Sequence, residues 1–315
     1  MLDSWPVATL GQLKRTTLAR LYGKLDHRTM RQISRTAMFL LLATFVSLDV
    51  RAEETDCSEP SADCVEMGQW DISLSLGGGV RTNPVRSNSD IPLLAIPKIS
   101  YYGKRFFLEN LELGVTLHET DSNAFNLIAA PGYDRVFFVR NDLQNVFINS
   151  VPSGLYAGAG FVDTTAGRVP VPGNVPLRPR RITYLAGPEW SFSRGRLTGQ
   201  LNALYEVTGR HKGTEVRAAV SAPVIRRKGE LVVSGGATWK SAELVRYYYE
   251  LENVYEPGAA FNPFLKVAYD LPLSERWALS AFVHYEHLAD AVADSPLISE
   301  PQVTTAFVGF VYKVL

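Results

Sequence analysis

Long runs of alternating apolar and polar residues constrain this 315-residue chain more than any other feature. Trp70, Ile72, Leu74, Leu76 and Val80 alternate with Asp71, Ser73, Ser75, Gly77, Gly79 and Arg81. The pattern returns at Leu197, Leu201, Ala203, Tyr205 and Val207, at Leu231, Val233, Ala237 and Trp239, and at Trp277, Leu279, Ala281, Val283 and Tyr285. A period of two puts successive side chains on opposite faces of a strand, so each run is a ribbon with one greasy face and one polar face.

A soluble sandwich also alternates, so the pattern needs further features to place it. These runs are about 10 to 14 residues long, which suits a tilted bilayer crossing better than the five or six residues usual in soluble sheets. Aromatics gather near run ends, at Tyr101, Tyr102, Phe106, Phe107, Trp190, Tyr247, Tyr248, Tyr249 and Trp277, as interfacial girdles require. Tight connections such as 193–196, 226–229 and 273–276 alternate with the long stretches 140–181, 241–257 and 288–301. The fold expected is all-β, a closed antiparallel transmembrane barrel.

Strands are predicted near 69–81, 90–101, 104–109, 111–119, 122–139, 182–193, 195–208, 213–225, 228–240, 258–271, 274–288 and 302–315. That makes twelve; losing the short 104–109 with a neighbour leaves ten, still the even number bacterial barrels require. Five prolines in 140–181 exclude regular strand throughout, so this segment is expected to be a folded outer loop or an inward plug.

The N-terminal region reads as targeting material. Arg28, Arg31 and Arg35 precede the apolar run Thr36 to Val50, and Val50-Arg51-Ala52 offers a cleavage site. Residues 30–52 are read as a cleavable signal peptide, with an uncleaved anchor as the alternative. Residues 1–29 are read as an upstream extension, Met30 being the alternative start. No other stretch of about 20 apolar residues follows, so a helical crossing is excluded.

Removing residues 1–52 leaves 24 basic against 29 acidic residues, which argues against nucleic acid as a partner. In an oxidising compartment Cys57 and Cys64, in the lead 53–68, are expected to close a small disulfide loop, two free thiols being the alternative. The barrel proper is then 69–315.

Several stretches together resemble the MltA-interacting protein MipA/OmpV family of outer-membrane proteins. They are the acidic Cys57-to-Cys64 lead, Arg81-Thr82-Asn83-Pro84, Ile91-Pro92-Leu93, Tyr101 to Leu108, Tyr247-Tyr248-Tyr249, Asn262-Pro263, Leu273 to Trp277, Leu288-Ala289-Asp290 and Asp294-Ser295-Pro296. The resemblance implies a Gram-negative outer-membrane scaffold that brings a lytic transglycosylase and a peptidoglycan synthase together at the murein layer. It also implies links to envelope permeability and stress. The chain departs from a common barrel ending: Tyr312-Lys313-Val314-Leu315 has Val314 where an aromatic is usual.

Catalytic chemistry finds little support. His284 and Glu286 share one polar strand face and could pair as acid and base, but polar lumen residues are ordinary in any barrel. His118, His211 and His287 sit in no catalytic spacing, and no Gly-x-Ser-x-Gly or His-Glu-x-x-His motif occurs. Gly77-Gly78-Gly79 continues a strand and so is not a phosphate cradle. The expectation is a non-enzymatic protein without cofactor or metal.

Lys98, Arg217, Lys240, Lys266, Asp270, His284 and Glu286 are expected to line the lumen, pairing across strands or setting the charge of a narrow solute passage. A narrow channel is therefore the alternative to the scaffold, and an outer-membrane hydrolase a remote third.

Overall fold

The computed structural model describes residues 67–86, 88–138, 180–226 and 228–314. Twelve strands form one closed antiparallel sheet in which each strand pairs with its sequence neighbours and the first pairs with the last. They are β1 (Trp70–Arg81), β2 (Ile91–Tyr102), β3 (Phe106–Glu109), β4 (Glu112–Thr120), β5 (Asn123–Pro131) and β6 (Tyr184–Arg194). The circle continues with β7 (Leu197–Glu206), β8 (Thr214–Arg226), β9 (Glu230–Lys240), β10 (Ala260–Pro272), β11 (Trp277–His287) and β12 (Gln302–Lys313).

Alternation sorts the side chains as the sequence predicts. Leu265, Val267, Val283, Val308 and Phe310 point outward and are exposed, while Ser234, Lys266, Ser280 and Thr305 point inward and are buried. Closure gives every strand a neighbour on both sides, the condition for strands to cross a bilayer. At the short-turn end the outward rings of Trp70 and Tyr101 lie 5.0 Å apart and those of Trp277 and Tyr312 lie 4.9 Å apart. A second belt, Tyr205, Trp239, Phe261 and Tyr285, is exposed near the opposite strand ends. Two aromatic belts bounding an apolar band are the signature of a membrane barrel.

The register slips between Leu76 and Gly79 on β1. A Cβ at Gly77 would collide with the Val308 carbonyl oxygen, and one at Gly79 with that of Ala306, so only glycine fits this bulge.

Three expectations need correction. The strand predicted over 122–139 stops at Pro131, whose missing N–H cannot continue the ladder, and Tyr133–Phe137 forms a short 3-10 helix instead. The stretch 241–257 contains the helix α1 (Ala242–Tyr249). Leu244, Val245, Tyr248 and Tyr249 recur at helical spacing and bury one face, so Tyr248 and Tyr249 are core residues, not girdle. Tyr102 and Phe107 likewise stack on each other, 6.1 Å apart and half-buried. A single-turn helix, α2 (Asp290–Ala293), lies in 288–301. Residues 1–52, Cys57, Cys64 and nearly all of 140–181 lie outside the described residues.

Candidate functional site: the lumen and its plugged mouth

The mouth at the long-connection end is filled by protein. The 3-10 helix, α1 and α2 bury Val136, Phe137, Leu244, Val245, Tyr248, Tyr249 and Val292 in one cluster. Inward residues of the wall, among them Ile128, Leu185, Leu204 and Val303, complete it.

Asp134 is the hub of this plug. Lys240 Nζ, from the end of β9, donates to both of its carboxylate oxygens at 2.8 Å. The Tyr249 hydroxyl donates to Asp134 Oδ1 at 2.6 Å. Burial and the neighbouring carboxylate push the Tyr249 hydroxyl well above its ordinary pKa, so it stays a donor.

Further bonds tie the plug to the rest of the chain. Arg180 donates to the Tyr248 carbonyl through Nε at 2.9 Å and Nη2 at 2.6 Å, and burial pulls its pKa down to about 10. Ser295 Oγ donates to the Tyr249 carbonyl at 2.8 Å. Asn83 and Asn88 both donate to the Phe137 carbonyl, at 3.0 and 2.8 Å. Arg81 and Arg217 lie over the rings of Phe137 and Tyr133, at 4.9 and 5.2 Å from the centroids.

Below the plug the inner face is polar over most of its circumference. Lys98 pairs with Asp71 at 3.2 Å, and Arg217 with Glu215. Glu189 accepts from Asn126 at 2.9 Å and from Gln200. Glu286 accepts from Asn262 at 3.2 Å, whereas the His284 ring packs 5.4 Å from that of Phe264. Among the described residues no hydrogen bond joins His284 to Glu286. Lys266 is 2% exposed, with Nζ 5.1 Å from the Phe282 ring centroid, and Asp270 lies four residues further along β10 on the same inward face.

The structure thus brings Lys240 to the plug, while Lys98, Arg217 and Glu286 enter separate pairs. Sequence reasoning missed Asp134, Tyr249 and Arg81. One signal for Asp134 was available: an acid inside an apolar aromatic run just after Pro131-Gly132, where a strand cannot continue. Among the described residues, Arg81 Nε, Asn202 Oδ1 and Arg217 Nη2 are buried without a hydrogen-bond partner. Among the described residues no group of His, Cys, Asp and Glu could hold a metal ion.

Twelve strands, greasy outside and largely polar inside, closed on themselves between two aromatic belts, define an outer-membrane β-barrel. The family model of the MltA-interacting protein MipA matches residues 74–314, and the chain belongs to that family.

No curated protein matches it. Among solved structures it is similar to a loop-deleted OmpT, an outer membrane protein of Vibrio cholerae (10% identity, 79% of this chain and 100% of that one, TM-score 0.30). It is also similar to a porin (12%, 78% and 100%, 0.31) and to the outer membrane channel DcaP of Acinetobacter baumannii (12%, 81% and 90%, 0.29).

Proposed function

We propose that this barrel is a non-enzymatic scaffold at the outer membrane, holding murein-processing enzymes, a lytic transglycosylase and a peptidoglycan synthase, against its short-turn rim. The observation that carries the reading is the charge of that rim. Lys104, Arg105, Arg194, Arg196, Arg226, Lys228, Arg276 and Lys313 are exposed there, against exposed Glu119, Asp121 and Glu275. A basic ring steers and orients partners with acidic faces, through interactions that salt weakens. The family's printed name, MltA-interacting protein, supports a partner of the transglycosylase kind.

The test is capture of envelope proteins on the purified barrel in mild detergent. Transglycosylase and synthase should be enriched at low salt and lost with the triple variant Arg194→Glu, Arg196→Glu, Arg276→Glu. No enrichment by the unaltered protein would overturn the scaffold.

The polar inner face below the plug favours a second reading, a narrow solute channel gated by the plug. Planar-bilayer conductance separates the two, since a scaffold with a sealed mouth is silent.

A further inference from the structure

We propose that the corner of the outer rim where β6, β7 and β8 meet binds the phosphorylated headgroup of an outer-leaflet glycolipid, lipid A, through Arg181, Arg210 and Lys212. The corner is built around one buried carboxylate. Glu206, 2% exposed at the end of β7, accepts through Oε1 from the Thr208 N–H at 2.7 Å and from the Thr208 hydroxyl. Through Oε2 it accepts from the N–H groups of Arg210, His211 and Lys212 at 2.8, 3.2 and 3.1 Å. The Glu206 N–H donates to the Gly213 carbonyl at 3.0 Å and closes the loop at its base. Gly209 and Lys212 take φ of 71° and 53°, and a lysine holds the left-handed region only where its surroundings impose it.

Arg181 is tied to the same corner from the β6 side. Its N–H donates to the Tyr247 hydroxyl at 3.0 Å, and the Tyr247 ring lies 5.3 Å from that of His211 in the loop. The Val207 N–H donates to the Tyr184 carbonyl at 2.9 Å, so the chain entering β6 runs beside the loop. Arg181, Arg210 and Lys212 are all exposed, on backbone that these bonds hold in place.

Below them the outward face is apolar. Ile182, Tyr205 and Val207 are exposed there, and Tyr205 belongs to the second aromatic belt. The long-connection end of a bacterial barrel faces outside, so this belt lies at the outer leaflet. Lipid A carries phosphates at headgroup level above its acyl chains. The phosphates suit arginine forks and a lysine ammonium, and the chains suit the greasy residues beneath. A soluble anion would use the cations alone, whereas the step from cations straight down to the apolar band selects a lipid. The exposed acids of that end, Glu252, Glu256, Asp294 and Glu300 among them, fall in the β9–β10, β11–β12 and β1–β2 connections. Residues 207–213 carry no exposed acid.

The experiment is native mass spectrometry of the full protein in detergent, with bisphosphorylated lipid A, monophosphorylated lipid A or phosphatidylglycerol at equal concentration. The bisphosphorylated form should bind, and removing one phosphate should weaken binding several-fold. Phosphatidylglycerol should compete poorly, and Arg181→Gln with Arg210→Gln should lower the bound fraction several-fold. Lys212→Gly should lower it too, because glycine keeps the left-handed turn while the cation is lost. Mobility of unboiled samples reports that each variant is folded. Equal binding by the folded variants and the unaltered protein would overturn the corner as the site. Equal binding of phosphatidylglycerol, or displacement of lipid A by inorganic phosphate, would overturn the glycolipid as its ligand.

Discussion

Asp134 shows how much one side chain can hold. Its carboxylate is 2% exposed and accepts from both Lys240 Nζ, 9% exposed, and the Tyr249 hydroxyl. Removing one member of such a buried pair strands the other charge, at a cost of about 3–5 kcal/mol. Asp134→Ala should therefore lower the urea midpoint of the vesicle-bound barrel markedly, while Asp134→Leu with Lys240→Met recovers much of the loss. If the single and double variants unfold alike, the pair is not the hub.

His211 provides a pH prediction at the same scale. Its Nδ1 accepts from the Gly213 N–H at 3.0 Å, and its ring packs 5.3 Å from that of Tyr247. Burial lowers its pKa from 6.5, against the upward pull of Glu206. The folded form thus binds fewer protons than the unfolded chain, so stability present above about pH 6.5 is lost as pH falls through the lowered native value. Hydrogen exchange of residues 207–213 should rise on acidification, and His211→Gln should flatten that response.

At the level of elements, the helices decide whether the lumen opens. Leu244 is 1% exposed in the plug, and truncating such a leucine costs about 2–5 kcal/mol. Leu244→Asp adds the penalty of a buried charge and should release α1 from the mouth. Single-channel recording should then show conductance that the unaltered barrel lacks; equal conductance in both would mean that the seal lies elsewhere.

The helical repeat of α1 was present in the sequence, but three successive tyrosines near a strand end also fit an interfacial belt. Only packing separates the two, since a residue's distance along the chain does not say whether it turns toward lipid or into the barrel. The same limit hid the end of β5, where an apolar aromatic run continues past Pro131 although the backbone pairing does not.

Across the whole molecule, stability rests on the outward apolar band meeting lipid. Val283, 52% exposed and in the middle of β11, should be costly to charge. Val283→Arg should destabilise by about 2–4 kcal/mol in vesicles, as cations do near the bilayer centre. Leu273→Arg, in a short turn at the rim, should be nearly neutral by the same urea titration. Equal effects at the two sites would contradict the placement of the membrane.

Twelve strands were legible because alternation is a local property: a one-residue slip would turn every greasy side chain inward, so the pattern along the chain dictates both face and register. The run of Trp277 to Tyr285 declares β11 without reference to any neighbour, and the four residues of β3 declare themselves only weakly. The partnership of Asp134 with Lys240 spans 106 positions and has no local mark. The plug and the ion pairs of the lumen arise from which distant segments meet, and only the closed tertiary structure decides that. Strand identity comes from the polarity of adjacent residues; what the enclosed space can hold comes from contacts that closure alone creates.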